Sequence, residues 1–130
     1  WRESLDGHAG HNQVDQDAFY QFCCDRMAFA GEAVRILRMG SLEAAELVED
    51  RSLDLVFIDA DHSYESIRAD IAAWAPKVKD GGWLGGHDYG KLEFGVTSAV
   101  NNFCGVNTVI PPKYELETGA DSTWFVEKPA

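Results

Sequence analysis

The sequence predicts an α/β fold, with an open and mostly parallel sheet covered by helices on both faces. Two observations lead to this prediction. Helical and strand-like segments alternate along the chain, which is typical of strands joined by helical crossovers. The segment 53–60, "LDLVFIDA", is a near-continuous apolar run rather than an alternating one, as expected for a buried parallel strand. With no repeat, low-complexity tract or linker, residues 1–130 are expected to form a single domain.

The first half of the chain supplies two predicted helices and one predicted strand before "LDLVFIDA". Asp15 is placed to cap a helix whose apolar residues recur at helical spacing, and Gly31 is placed to end it. The segment 34–39, "VRILRM", alternates and starts with a β-branched residue, so we predict a strand. Ser41 is a candidate N-cap for the helix that follows.

The second half continues the alternation. Ser63 is a candidate N-cap for a helix with an apolar stripe, and "WLGGHDY" is predicted to be the next strand. The segment "GVTSAVNNF" has helical spacing, and "NTVIPP" and "STWFVEK" are predicted to be closing strands. These last two strands are expected to form an antiparallel edge of the sheet.

Composition and charge restrict the partners. The chain has 22 acidic and 11 basic residues and a net charge of −11, so a phosphate backbone would be repelled. No apolar stretch has the length of a membrane span, and the N-terminal residues do not resemble a signal peptide. Three cysteines without framework spacing indicate free thiols. We therefore expect a cytoplasmic protein that binds neither nucleic acid nor membranes.

Acids and histidines follow two predicted strands at the point where each strand ends. Asp59 follows the first, and His87 and Asp88 follow the second, while Asp61 and His62 lie on the adjoining loop. Ligands of open α/β sheets bind beyond the carboxyl ends of the strands. If the two strands are neighbours, a divalent cation would relieve the repulsion between the two carboxylates. The alternative is that these residues only cap helices and form turns.

Other motifs give weaker indications of function. His8 and His11 in "HAGH" could form a ligand pair, but in a polar N-terminal stretch we favour a mobile loop. The glycines of "GGWLGG" precede or lie within a predicted strand, unlike those of a phosphate-binding loop. The 130 residues contain no GxGxxG-like loop between a strand and a helix.

The stretch "LDLVFIDADHSYESIRADI" followed by "GGWLGGHDY" resembles class I S-adenosylmethionine-dependent methyltransferases. It is most similar to the bacterial branch with "FIDGDHSY" and "GGxxxxHDY" motifs, related to catechol and macrocin-type O-methyltransferases. The resemblance runs from about residue 34 to residue 103. It implies a Rossmann-like sheet and transfer of a methyl group to a small hydroxylated substrate.

The resemblance also assigns roles to residues. It implies that Asp59, His87 and Asp88 bind a divalent metal, Mg or Mn, although a histidine departs from the all-oxygen ligand set of magnesium-dependent relatives. His62 would be the general base, because histidine can accept a proton near neutral pH. The cofactor S-adenosylmethionine would contact Asp59 and the three residues after the third family strand, which are Gly40, Ser41 and Leu42.

The family's first strand, glycine-rich loop and second strand would all precede Trp1, so the chain resembles a truncated methyltransferase fold, the C-terminal two-thirds of the domain. We therefore expect weak binding of S-adenosylmethionine by this chain alone. Strands that lack a neighbour favour a homodimer or a higher homo-oligomer. Two alternatives to a methyltransferase stay open: a cephalosporin hydroxylase-like enzyme of the same fold, and a non-catalytic module for assembly or binding.

Overall fold

The computed structural model of the protein describes residues 13–106 and 113–130. The helices are α1 (Gln13–Met27), α2 (Ser41–Glu46), α3 (Tyr64–Trp74) and α4 (Val96–Cys104). The strands are β1 (Leu53–Ile58), β2 (Val78–Gly86), β3 (Leu116–Thr118) and β4 (Trp124–Glu127). Short 3-10 helices occupy Ala28–Ala33 and Ala75–Lys77.

The four strands form one sheet in the order β1-β2-β4-β3. β1 and β2 run parallel, and α3 joins them as a crossover. β4 is antiparallel to both β2 and β3. The predicted α/β class is therefore confirmed. The C-terminal edge is antiparallel, as predicted, but its strand β3 is Leu116–Thr118, a segment that the sequence did not indicate.

The core lies between one face of the sheet and the helices α3 and α4. The core residues come from the apolar faces of α3 and α4 and from the strand side chains that point toward these helices. They include Val56, Ile58, Ile67, Ile71, Val78, Leu84, Val96, Val100, Trp124 and Val126. The predicted cap of α3 is confirmed, because the Ser63 hydroxyl accepts a hydrogen bond from the amide of Ser66. On the opposite face, Leu55 and Phe57 are 54% and 46% exposed, so no described helix covers β1 there.

Several boundaries in the first half differ from the sequence-based expectation. Residues 34–39 form no strand, because β1 pairs with β2 alone among the described residues and this segment has no ladder to join. α1 begins at Gln13, so Asp15 lies within its first turn instead of capping it. α1 ends at Met27, and Gly31, with a φ of 52°, interrupts the 3-10 helix that follows.

The cap of α2 is Gly40 and not Ser41. The amide of Gly40 donates to the Glu43 carboxylate at 3.2 Å. This backbone N–H at the start of the helix therefore has an acceptor, and no hydroxyl caps the helix. Ser41 becomes the first helical residue, and its hydroxyl contacts α3 instead. The predicted "NTVIPP" strand, like His8 and His11, lies outside the described residues. Within the described part of the chain, no helix has the length and apolarity required to cross a lipid bilayer.

Close packing around Gly85 generates a stability prediction. A Cβ at Gly85 would lie 2.3 Å from the Phe125 ring and 2.6 Å from the Trp124 carbonyl oxygen. We expect Gly85→Ala to lower the free energy of unfolding by about 1–3 kcal/mol, because the backbone of β4 cannot move away freely. Urea unfolding measures this, with Lys79→Ala in the same strand as a surface control. Equal stability of Gly85→Ala and wild type would contradict the packing described.

The exposed face of β1 generates a second prediction. We expect the chain to self-associate through this face, because the outer edge of β1 has no partner strand among the described residues, and such an edge beside apolar side chains favours pairing with another chain. Leu55→Glu should shift the mass toward the 14.4 kDa monomer. Leu92→Glu, at a position that is 99% exposed, is the matched control and should not. Light scattering coupled to size exclusion at micromolar concentration checks this, and a monomeric wild type would contradict it.

Candidate active site

The ends of β1 and β2 bring the acids and histidines of two loops together. Ile58 pairs with Gly86, and the amide of His87 donates to the Ile58 carbonyl at 3.2 Å. The segments after β1 and β2 then leave the sheet at the same end, with Asp59 following β1 and Asp88 following His87. The two strands are therefore neighbours, which is the condition that the predicted site required.

The Asp88 carboxylate is the centre of the site, with 4% of the residue exposed. Its Oδ2 lies 2.7 Å from His62 Nε2, its Oδ1 lies 3.2 Å from His87 Nδ1, and the Lys91 ammonium also contacts Oδ1. Burial opposes ionisation of this carboxyl, but the hydrogen bond from Lys91 and the neighbouring positive charges outweigh it, so the pKa of Asp88 is lowered. Asp88 is therefore a buried carboxylate that is held ionised.

Two hydrogen bonds fix the backbone that follows Asp88. Asp88 has a φ of 66°, a left-handed conformation that Asp tolerates better than most residues. The amide of Tyr89 donates to the Ser122 carbonyl at 3.0 Å, and the amide of Gly90 donates to the Thr97 hydroxyl at 2.8 Å. These bonds tie the turn after β2 both to the β3–β4 hairpin and to α4.

His62 is held by a ring contact and by the backbone. Its imidazole stacks on the Phe94 ring with centroids 4.3 Å apart and planes 16° apart. Its carbonyl accepts from the amide of Gly95 at 2.8 Å. A Cβ on Gly95 would lie only 2.2 Å from the Tyr64 amide nitrogen, so glycine allows this close approach. The orientation of His62 toward Asp88 is thus built into the loop before α4.

Three side chains come close enough to share one cation. The ligand atoms of Asp59, His62 and Asp88 lie within 4.8 Å of one another. Two carboxylates and one imidazole suit a divalent metal such as Mn²⁺ or Mg²⁺. His87, which the sequence suggested as a ligand, is outside this group. Its Nδ1 lies 3.2 Å from Asp88 Oδ1, whereas His62 Nε2 lies beside Oδ2. The metal itself stays a prediction.

The Gly40–Leu42 segment, the other predicted cofactor contact, begins α2. The Ser41 hydroxyl accepts a hydrogen bond from Trp74 Nε1 at 2.9 Å, and Leu42 is about half exposed. Asp70 is 6% exposed and lies on the face of α3 that packs into the core. Burial raises the pKa of Asp70, the Ser41 side chain opposes this rise, and the charge of Asp61 adds to it.

Sequence reasoning overlooked three residues of this region. Asp70 carried a signal, since an acid within the stripe of Ile67 and Ile71 on α3 is unusual for a buried helix face. Lys91 and Phe94 carried none, because the irregular segment between β2 and α4 has no periodicity that would orient a side chain.

Comparisons with known proteins agree with the fold. A family model described as a methyltransferase domain matches residues 4–89. An uncharacterized protein, y4gI of Sinorhizobium fredii, is 41% identical over 44 residues, which are 34% of this chain and 5% of that protein.

Two solved structures are similar to this chain at low sequence identity. A Corynebacterium glutamicum protein has a TM-score of 0.61 at 14% identity, over 91% of this chain and 58% of its own. The O-methyltransferase NovP has a TM-score of 0.61 at 16% identity, over 95% of this chain and 55% of its own. At such identities the likeness concerns the fold, and this chain spans little more than half of either structure.

The family match covers most of the chain and includes β1, α3 and β2 with the acids at the strand ends. This chain belongs to the methyltransferase-domain family. The resemblance to class I S-adenosylmethionine-dependent methyltransferases, which the sequence motifs predicted, is confirmed.

The raised pKa of Asp70 generates a prediction on stability. A carboxyl whose pKa is higher in the folded protein than its ordinary value of 3.8 destabilises the fold as it ionises. Asp70→Asn keeps the size of the side chain and removes the charge. We therefore expect the variant to gain stability over wild type as the pH rises from about 4 through the folded-state pKa.

Urea unfolding from pH 4 to pH 8 measures this difference. It should be smallest at the acidic end and reach a plateau once Asp70 is ionised in the folded wild type. The exposed Asp54 in β1 provides the control, and Asp54→Asn should not show this pattern. A difference between Asp70→Asn and wild type that does not vary with pH would contradict the argument.

Proposed function

We propose that the protein transfers a methyl group from S-adenosylmethionine to a hydroxyl of a small molecule. The observation that carries this proposal is the contact between His62 Nε2 and the buried Asp88 carboxylate, 2.7 Å apart, beyond the ends of two parallel strands. Membership of a methyltransferase-domain family supports the reaction type. The acceptor class rests on the resemblance to O-methyltransferases and on a base suited to a hydroxyl proton.

The His62–Asp88 pair accounts for the proton. When Asp88 accepts a hydrogen bond from Nε2, the neutral imidazole carries its lone pair on Nδ1. His62 then takes the acceptor's hydroxyl proton, and Asp88 stabilises the imidazolium that forms. The acceptor oxygen would form a bond to the methyl carbon as the carbon–sulfur bond breaks, and the electron pair of the broken bond would stay on the sulfur, which leaves as a thioether. Bound S-adenosylmethionine supplies the electrophilic methyl group.

The remaining roles concern binding. We propose that Gly40, Ser41 and Leu42 contact the cofactor, and that Asp59 lies beside it at the end of β1. Catalysis would then consist largely of holding the hydroxyl in line with the methyl group. The unpaired cysteines, one of them buried, are consistent with the cytoplasmic location that we also propose.

Metal assistance is the finer part of the proposal. Asp59, His62 and Asp88 would hold a divalent cation, which would polarise and orient the acceptor hydroxyl. The Lys91 ammonium already contacts Asp88, so a cation would have to share that carboxylate. A cation bound through Nε2 of His62 would displace the contact of that nitrogen with Asp88, so metal binding through Nε2 and the His62–Asp88 pair would exclude each other.

Methyl transfer tests the proposal directly. We expect release of S-adenosylhomocysteine from S-adenosylmethionine with at least one class of a panel of phenols, catechols and sugars. His62→Ala should lower kcat by about 10²–10⁴-fold, the usual contribution of a general base. His87→Ala, which removes the neighbouring imidazole, is the matched control and should lower it far less. Equal loss in both variants would contradict the assignment of His62.

Calorimetric titration with Mn²⁺ or Mg²⁺ tests the metal separately. If the three-residue group binds metal, Asp59→Asn, His62→Ala and Asp88→Ala should each weaken binding by roughly tenfold or more, since each removes a ligand. His87→Ala should bind like wild type. Loss in His87→Ala but not in His62→Ala would instead support the ligand set inferred from the sequence. No heat with wild type would contradict metal assistance.

A further inference from the structure

Both oxygens of the Asp88 carboxylate already have a nitrogen beside them. His62 Nε2 lies 2.7 Å from Oδ2, and His87 Nδ1 lies 3.2 Å from Oδ1. The Lys91 ammonium also contacts Oδ1. A divalent cation held by Asp59, His62 and Asp88 would need one of these two oxygens. It would therefore meet an existing contact on either of them.

Lys91 supplies a positive charge to this carboxylate. The Lys91 side chain is 39% exposed and the Asp88 side chain is 6% exposed, so the ammonium lies where the buried carboxylate meets the solvent. Burial opposes ionisation of Asp88, and the hydrogen bond and the charge of Lys91 act against burial to lower the pKa of Asp88. The ammonium thus provides the charge compensation that a divalent metal provides in a cluster of carboxylates.

The turn that carries Lys91 also holds its ammonium. The amide of Phe94 donates to the Lys91 carbonyl at 3.2 Å, and Lys91 Nζ lies 5.6 Å from the centroid of the Phe94 ring. A cation near the face of an aromatic ring is attracted to it. The same ring stacks on the His62 imidazole with centroids 4.3 Å apart. Phe94 therefore contacts both the ammonium and the imidazole that meet at Asp88, which makes Lys91 part of the site.

We propose that Lys91 determines the metal affinity of this site, because its ammonium competes with a divalent cation for the Asp88 carboxylate. Two positive charges at one partly buried carboxylate repel each other. Metal binding therefore carries the additional cost of displacing the ammonium or of placing a like charge beside it. This inference rests on the metal-binding group of the proposed function and deepens it, but the competition is measurable without methyl transfer.

Calorimetric titration of the full chain with Mn²⁺ tests the competition. Lys91→Met removes the charge and keeps a long side chain, so it should lower the Kd for Mn²⁺ by roughly tenfold or more. Lys91→Arg keeps the charge and should bind Mn²⁺ no more tightly than wild type. Lys113→Met is the matched control, because Lys113 lies over the Tyr114 ring at 4.9 Å as Lys91 lies over Phe94. It should bind Mn²⁺ like wild type.

Thermal unfolding gives a second readout. Lys91→Met should have a lower Tm than wild type without metal, because Asp88 then stays buried without the ammonium. Mn²⁺ should raise the Tm of Lys91→Met more than it raises that of wild type, because tighter binding to the folded state stabilises it more. Lys91→Gln, which keeps a hydrogen-bond donor for Asp88, serves in both measurements if Lys91→Met does not fold.

The double variant Lys91→Met/Asp88→Asn distinguishes competition from structural damage. Tighter Mn²⁺ binding by Lys91→Met that is lost in the double variant supports the proposal, because the gain then requires the carboxylate. A gain that survives Asp88→Asn would overturn it. Equal or weaker binding by Lys91→Met would also overturn it, as would the absence of heat from both wild type and Lys91→Met.

Release of S-adenosylhomocysteine separates this inference from the proposed function. If Lys91→Met gains metal affinity but wild type releases no S-adenosylhomocysteine with any acceptor, Lys91 still controls the metal and the proposed reaction is wrong. If wild type transfers methyl groups and Lys91→Met gains no metal affinity, the reaction stands and the role of Lys91 is wrong.

Discussion

Ile58 pairs with Gly86 at the end of the parallel ladder between β1 and β2. The contacts among the site side chains that follow these two strands depend on that pairing. A Cβ on Gly86 would lie 2.4 Å from the Ile58 carbonyl oxygen and 2.8 Å from the Trp124 indole nitrogen, so the strands and the indole are in close contact here. A one-residue slip of a strand turns its side chains to the opposite face. The meeting of Asp59 with Asp88 therefore depends on this register.

The register alone does not orient Asp88, because residues after a strand can leave the sheet in several directions. The left-handed φ of Asp88 and the bond from the Tyr89 amide to the hairpin turn the carboxylate inward. Once buried, it requires hydrogen-bond donors, and Lys91 and two imidazoles meet that need. The pair with His62 is thus a consequence of burying a carboxylate beside a histidine that Phe94 already holds.

Strand type and the capped helix were predictable because their signals are local. The apolar run of β1 and the Ser63 cap of α3 need only a few neighbouring residues for recognition. Residues 34–39 were predicted wrongly, since alternation describes a strand's faces and not the neighbour that it requires. Which of the two histidines joins Asp59 and Asp88 depends on φ angles and ring contacts that one sequence does not encode locally.

Asp70 marks a further limit of pattern reasoning. The apolar stripe of α3 predicts a helix equally well with or without this acid. Its burial depends on the elements that pack against α3, which lie far away in the sequence.

Charge links the site to the rest of the molecule. The net charge of −11 produces a negative potential around the chain, and such a potential favours the approach of a cation such as the sulfonium of S-adenosylmethionine. An anionic acceptor would be repelled by the same potential, whereas a neutral hydroxyl would not. Inside the site the local charge differs from the net charge of the chain, because Lys91 and two imidazoles surround the Asp88 carboxylate. A cationic methyl donor and a neutral acceptor therefore suit this surface better than two anions, and such a pair of reactants matches the proposed transfer of a methyl group to a hydroxyl.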